Sequence, residues 1–374
     1  MGGIVRQFIG EWRALGRAQI QFDEDQPVSD HSKPAEDQAP ASLASIGREV
    51  GVDPSLVSRV LRGDPQARVS LAKRQQILDV AKRTGYRPNR VARSLRTQRT
   101  NILAMLTPDI TNPFHSWLYR AVEASANRAG YEVILCNTDD DLERARSVVT
   151  TLCEGHVDGV LLATARQADS SIELLRQLNI PYVLMNRRRE EEDETWFGTD
   201  SASVGRMGCK LLLDMGHRRI AYLDGDPSTE QIAGRTRGYV AALSEAGVDL
   251  PPQFFATSVA TRAESRDAAR KLIALPDNEK PTAFLVPSSM LIDGVLSAVH
   301  AAGLRIPEDI SILGLSAVAH PDVSSIRVPV EEIGQKAVEW LIARLDRSAE
   351  PPPVVRRAFE VAFIDRGSVA PPRR

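Results

Sequence analysis

From Asn101 onward the chain alternates short apolar runs with amphipathic stretches, joined by Gly and Pro turns, and that alternation leaves few folds open. The apolar run 102–106 reads as a strand, followed by a helix that ends at Gly130. Strands over 132–136, 159–163 and 182–185 then alternate with helices over 142–154 and 171–178. The unit repeats, with strands at 220–223, 254–257, 283–286 and 310–313 and helices at 235–246, 263–274 and 290–302. Strands alternating with helices imply parallel, doubly wound sheets. Handed crossovers then bring the loops after the strand C-termini to one edge, where ligands bind.

Before this region the chain reads differently. Asp53 is a good N-cap and Pro54 suits the first helical position. Leu56, Val57, Val60 and Leu61 form one apolar face, and Ser55, Ser58, Arg59 and Arg62 lie largely off it. Upstream, 43–50 reads as a helix capped by Ser42, with Gly51 at the turn, where a left-handed backbone costs glycine little. Downstream, Ser70 caps a third helix over 71–83, closed by Gly85. Periodicity leaves two readings open: a DNA-binding helix-turn-helix, or an ordinary amphipathic pair in a small bundle.

Charge favours the first. The whole chain has a net charge of -2, yet residues 41–100 hold thirteen basic side chains against four acidic ones. A basic module on a near-neutral protein is the footprint of a nucleic-acid binder. Hydrophobic content of 43% and charged content of 26% describe a soluble globular chain, long enough for two or three domains.

The ordered motifs Gly51-Val52, Val57-Ser58-Arg59-Val60-Leu61, Arg68-Val69-Ser70, Gly85-Tyr86, Pro88-Asn89-Arg90-Val91-Ala92-Arg93 and Leu95 resemble the LacI/GalR family of bacterial transcription regulators. The resemblance continues almost to the C-terminus and omits residues 1–40. It implies an N-terminal all-α helix-turn-helix domain with a hinge helix, followed by an α/β core of two lobes like a periplasmic sugar-binding protein. The divisions it suggests are 1–40 as a disordered extension, 41–87 as the DNA-binding domain, 88–99 as the hinge helix and 100–370 as the core. Lobe 1 would span about 100–198 and 327–350, and lobe 2 about 199–326 and 351–370. The strand around 325–327 and the helix over 330–344 are expected to return to lobe 1, and the tail 354–365 to finish lobe 2.

The same resemblance implies roles. DNA contacts fall to Ser42, Pro54, Ser55, Ser58, Arg59, Asn89, Arg93 and Leu95. Of these, Pro54, Ser55 and Arg59 would face base edges, Ser58 and Asn89 the backbone. Leu95 would wedge into a minor-groove step. The effector cleft would hold Asp109, Asn112, Phe114, Asn186, Arg235, Ser288 and Ser316. The partners implied are double-stranded operator DNA, a small-molecule effector and a second copy of the chain in a homodimer, with no membrane. The chain departs from the family at several positions: Asp53 and Leu56 stand where Ser and Thr are usual, and Asn186, Ser288-Ser289 and Leu315-Ser316-Ala317 where acidic residues are common. Fewer carboxylates around a cationic Arg235 would suit a carboxylate- or phosphate-bearing effector, or a pocket that has lost its effector.

Other classes have less support. Three scattered cysteines, Cys136, Cys153 and Cys209, suggest reduced thiols in a cytoplasmic protein. No CxxC or HExxH pattern appears, so no metal and no cofactor is expected. Neither GxGxxG nor GxxxxGK[ST] follows a strand, and the six histidines fall on unrelated elements, so catalysis has no positive support. A solute-binding protein without DNA activity would need an export signal and would have no use for the basic module. Residues 1–20 could form a short amphipathic helix, and 22–40 are acidic and rich in Pro and Ser, a composition that predicts disorder. They read either as a regulatory arm or as an inert tail.

Overall fold

The computed structural model describes residues 41–86, 99–249, 252–256, 259–315 and 320–373. The expected disordered extension 1–40 and nearly all of the expected hinge helix fall outside the described residues. The chain divides into two compact units, Met1–Asn89 and Arg90–Arg374.

The first unit holds three helices, α1 (Leu43–Val50), α2 (Pro54–Leu61) and α3 (Leu71–Arg83). Each starts where a short polar side chain can take an orphan backbone N–H. Ser42 and Ser45 form a reciprocal capping box at α1, Asp53 accepts from the Ser55 amide at 2.7 Å, and Ser70 accepts from the Lys73 amide at 3.3 Å. Gly51 ends α1 at φ +71°, a region closed to most side chains. Ile46, Val50, Val57, Val60, Ala67, Ile77 and Ala81 close the small core from all three helices.

The second unit holds two sheets of six strands. The first runs β1 (Ile102–Thr107), α4 (Pro113–Arg128), β2 (Glu132–Asn137), α5 (Leu142–Leu152), β3 (Gly159–Leu162), α6 (Ser170–Gln177), β4 (Tyr182–Met185) and β5 (Trp196–Gly198). The second opens with α7 (Ser201–Asp214) and continues through β6 (Ile220–Leu223), α8 (Glu230–Glu245) and, after a 3-10 turn at Pro252–Phe254, β7 (Phe255–Ala256). Then come α9 (Arg262–Ile273), β8 (Ala283–Val286), α10 (Ser289–Ala301), β9 (Ser311–Gly314) and β10 (Ser325–Arg327). The chain returns with α11 (Val330–Leu345), β11 (Arg356–Ala358) and β12 (Ala362–Ile364).

The sheet orders are β11-β5-β4-β3-β1-β2 and β12-β10-β9-β8-β6-β7. Every pairing is parallel except β10 with β12. Parallel strands covered by helices on both faces are buried throughout, which explains the continuous apolar runs of β1, β3 and β8.

Two expectations about the chain's return need correction. The segment 325–327 was expected in the first lobe, but β10 belongs to the second sheet, where Ser325 pairs with Gly314 and Ile326 is fully buried. The crossing comes just after it, and α11 packs on α4 and on β3, β4 and β5 of the first lobe. The tail 354–365 was expected to finish the second lobe alone. Instead β11 joins the first sheet, with Arg356 opposite Trp196, and only β12 joins the second. The apolar side chains divide it: Phe359 is buried in the first lobe's core, while Phe363 packs on the second's. The chain therefore crosses between lobes three times.

Candidate functional site

The surface of the helical unit is built by α2 and the residues around it. Ser42, Pro54 and Ser55 are exposed, and Ser58 and Arg59 are half-buried. Arg59 does not project freely. Its Nε donates to Asp64 Oδ2 at 2.8 Å and its Nη2 to the Gln66 carbonyl at 2.9 Å, so the guanidinium is docked on the loop after α2. That contact holds the Asp64 carboxyl below the usual carboxylate range. Arg62 turns back to the Ser58 carbonyl at 3.1 Å, and Arg83 pairs with Glu49. Asn89, Arg93 and Leu95 lie outside the described residues, as does Ser316 of the expected cleft.

In the second unit a cavity of about 180 Å³ opens between the two lobes. It is smaller than a drug-sized pocket of about 300–1,000 Å³ and suits a compact ligand. Its walls include Asn112, Phe114, Asn186, Arg235 and Ser288, five of the seven side chains expected there. Asp109 is not among them. Its Oδ1 accepts from both the amide and the hydroxyl of Thr111, at 2.8 and 2.7 Å, so that oxygen is engaged in a local turn.

The first-lobe wall begins at the start of α4. Asn112 caps that helix, accepting from the Phe114 amide at 3.1 Å. Phe114 meets the ring of His115 edge-on, with centroids 5.2 Å apart. His115 is buried, its Nδ1 has no hydrogen-bond partner, and burial together with the nearby Arg187 cation pushes its pKa down to about 3. It is therefore a neutral ring at physiological pH. At the end of β4, Asn186 adopts φ +62° and its Oδ1 accepts from Gln231 Nε2 at 2.8 Å across the cleft. Arg187 follows and forks onto Asp140 at 2.5 and 3.2 Å. Burial works against the ionised Asp140, but Arg187 and Arg166 outweigh it and keep that carboxyl below its ordinary range.

The second-lobe wall centres on Arg235 of α8. Its Nε and Nη2 donate to the two oxygens of Asp224 at 3.1 and 3.0 Å, a bidentate pair. Asp224 also accepts from the Tyr222 hydroxyl at 2.5 Å and from the Gly225 amide at 2.8 Å. Burial opposes the charge on Arg235, and Asp224 more than restores it, so its pKa is raised. Burial and the same carboxylate push Tyr222 well up, so its hydroxyl stays protonated. The expectation of an arginine short of anions is thus corrected: Asp224, the residue immediately after β6, neutralises it. Asp224, His115, Arg187 and Gln231 were not singled out from the sequence. Ser288 sits ahead of α10 with a buried hydroxyl that makes no hydrogen bond, and Ser289 likewise.

Two more bonds cross the cleft beside Gln231 and Asn186. Arg166 Nη1 donates to Ser228 Oγ at 3.2 Å, and Arg188 pairs with Glu230 at 3.2 Å while lying over the Trp196 ring. The cleft therefore offers Arg235 neutralised by Asp224, Arg187 sharing Asp140 with Arg166, neutral amides and hydroxyls, and one aromatic face.

Comparison with known proteins places this arrangement. Residues 209–369 match the family model described as a periplasmic binding protein-like domain. The ribose operon repressor of Escherichia coli strain K12 is 32% identical over 311 residues, covering 82% of this chain and 93% of the relative. Among solved structures, the transcriptional regulator CelR in complex with cellobiose is 27% identical, with a TM-score of 0.64 over 88% of this chain and 99% of that one. A LacI family transcriptional regulator from Enterococcus faecium with bound ribose is 25% identical, with a TM-score of 0.63 over 73% and 100% of the two chains.

Proposed function

The chain belongs to the LacI/GalR family of bacterial transcription regulators, and on that premise we propose that it is a repressor whose effector is a compact, uncharged polyhydroxy compound such as a sugar. It is a regulator, not an enzyme. A homodimer would present two copies of α2 to the half-sites of a near-palindromic operator, with Pro54, Ser55 and Arg59 toward base edges. Ser42, Ser58, Asn89 and Arg93 would meet the backbone, and Leu95 a minor-groove step. Arg59 would have to exchange Asp64 for a base edge, so its reading of DNA includes breaking an existing ion pair. No helix among the described residues is long and apolar enough to cross a membrane, which accords with a cytoplasmic site of action.

One observation carries the effector class: Arg235 already has its anion. A bidentate pair with Asp224 leaves the second-lobe wall polar but neutral, where an extra negative charge would displace or crowd a buried carboxylate. Hydroxyl groups, which both donate and accept, fit Asn112, Asn186, Gln231 and Ser288, and a sugar's apolar face fits Phe114. The ligands of the two related structures, cellobiose and ribose, are of this class.

The test is a thermal-shift and calorimetric screen of neutral sugars against their phosphates and against small carboxylates. A neutral sugar at about 100 times its Kd should add about 2.7 kcal/mol to stability. Arg235→Ala should abolish that shift and the sugar's effect on operator binding, with operator affinity in its absence nearly unchanged. Binding of phosphorylated or carboxylate ligands alone would refute the assignment.

A further inference from the structure

The charge of residues 22–38 has no part in the function just described. Six acidic side chains, Asp23, Glu24, Asp25, Asp30, Glu36 and Asp37, stand there with a single lysine, Lys33. Residues 41–100 carry the opposite excess, thirteen basic against four acidic. Within the helical unit Arg48, Arg62, Arg68 and Lys82 are exposed and make no salt bridge among the described residues. Neither α1 nor α3 has an acidic residue in its first turn, so the positive ends of those two helix dipoles lack a side-chain anion of their own.

We propose that the acidic segment 22–38 docks on the exposed basic side chains of its own helical unit and competes there with the phosphate backbone of DNA. The proposal rests on the DNA-binding reading above. DNA affinity of a basic face comes largely from phosphate charges, spaced along the duplex at about one per 1.7 Å. The segment offers the same kind of anion at lower density. It is also tethered at the right place. Asp37 precedes the capping Ser42 by five residues, which at no more than about 3.6 Å each keeps it within roughly 18 Å of the start of α1. A ligand held on so short a connection acts at an effective concentration of order millimolar, enough to populate a weak attraction. The competition falls hardest on non-specific DNA, whose binding is nearly all electrostatic, and less on an operator that adds base contacts. The segment would thus sharpen discrimination by suppressing the weaker mode.

The test needs no knowledge of the operator. Binding to a mixed-sequence duplex is measured by fluorescence anisotropy for the full chain, for a chain lacking residues 1–38, and for a full-length variant carrying Asp23→Asn, Glu24→Gln, Asp25→Asn, Asp30→Asn, Glu36→Gln and Asp37→Asn. At about 50 mM salt both altered chains should bind roughly tenfold more tightly than the full chain. The gain should shrink toward nothing near about 0.3 M as screening shortens the reach of the charges. Equal affinities of all three chains at low salt overturn the proposal, as does a gain by the shortened chain that the charge-neutral chain does not share. Failure of every chain to bind any DNA counts against the DNA-binding reading itself, a different result from equal binding.

Discussion

His115 shows what a single residue in the cleft determines. Its folded pKa is depressed to about 3, well below the ordinary value of about 6.5. The unfolded chain therefore binds a proton that the folded chain refuses, and stability falls as pH drops from about 6.5 toward 3. The loss from this one group is about 1.4 kcal/mol per pH unit in that window and nothing above it. His115→Gln should flatten the decline of Tm between pH 7 and pH 5, and an unchanged decline would place the acid sensitivity elsewhere. At this scale the sequence was partly legible. Asn112, Phe114, Asn186, Arg235 and Ser288 could be placed at the cleft because each matches a motif position of the family that the chain resembles. Asp224 and His115 could not, because their roles come from neighbours brought up by folding, not from nearby sequence. Asp109 does not line the cavity, and a local turn with Thr111 engages its Oδ1.

The helices of the first unit were legible element by element, since Ser42, Asp53 and Ser70 mark their starts with side chains that the caps then use. The α7 helix was missed entirely. Its buried positions, Ser201, Val204, Gly205, Gly208, Cys209, Leu212 and Leu213, have flawless helical spacing, but nearly half of them are serine or glycine and give no apolar signal. Those small residues have a purpose. Gly205 comes against the Arg235 carbonyl and Gly238 against the Ala202 carbonyl, so α7 and α8 pack backbone to backbone. That closeness fixes where α8 carries Arg235. In Gly238→Ala the added methyl meets backbone that cannot swing aside. A stability loss of about 1–3 kcal/mol is expected, with weakened sugar binding, because Arg235 moves with its helix. Calorimetric unfolding and titration of the variant check both; an unaltered Tm would mean the pair has slack the packing does not suggest.

For the molecule as a whole, alternating strands and helices made the two-lobed α/β core readable, but not the strand that ends in each sheet. Segments as short as β10, β11 and β12 carry too few residues for a pattern, and the choice of sheet is made by where Ile326, Phe359 and Phe363 find a core. A chain stopped before residue 354 would lose both β11 and β12, one from each sheet. It should unfold at much lower temperature than the full chain, as differential scanning calorimetry of both would show; an equal Tm would deny these strands a part in holding the lobes together. The same topology has a meaning in time. A ribosome delivers β1 through β5 early, yet α11 and β11, which complete that first lobe, emerge only after the second lobe has been threaded. The first lobe therefore cannot finish on the nascent chain before nearly all of the second has been threaded, and the first sheet's edge is held open through that interval.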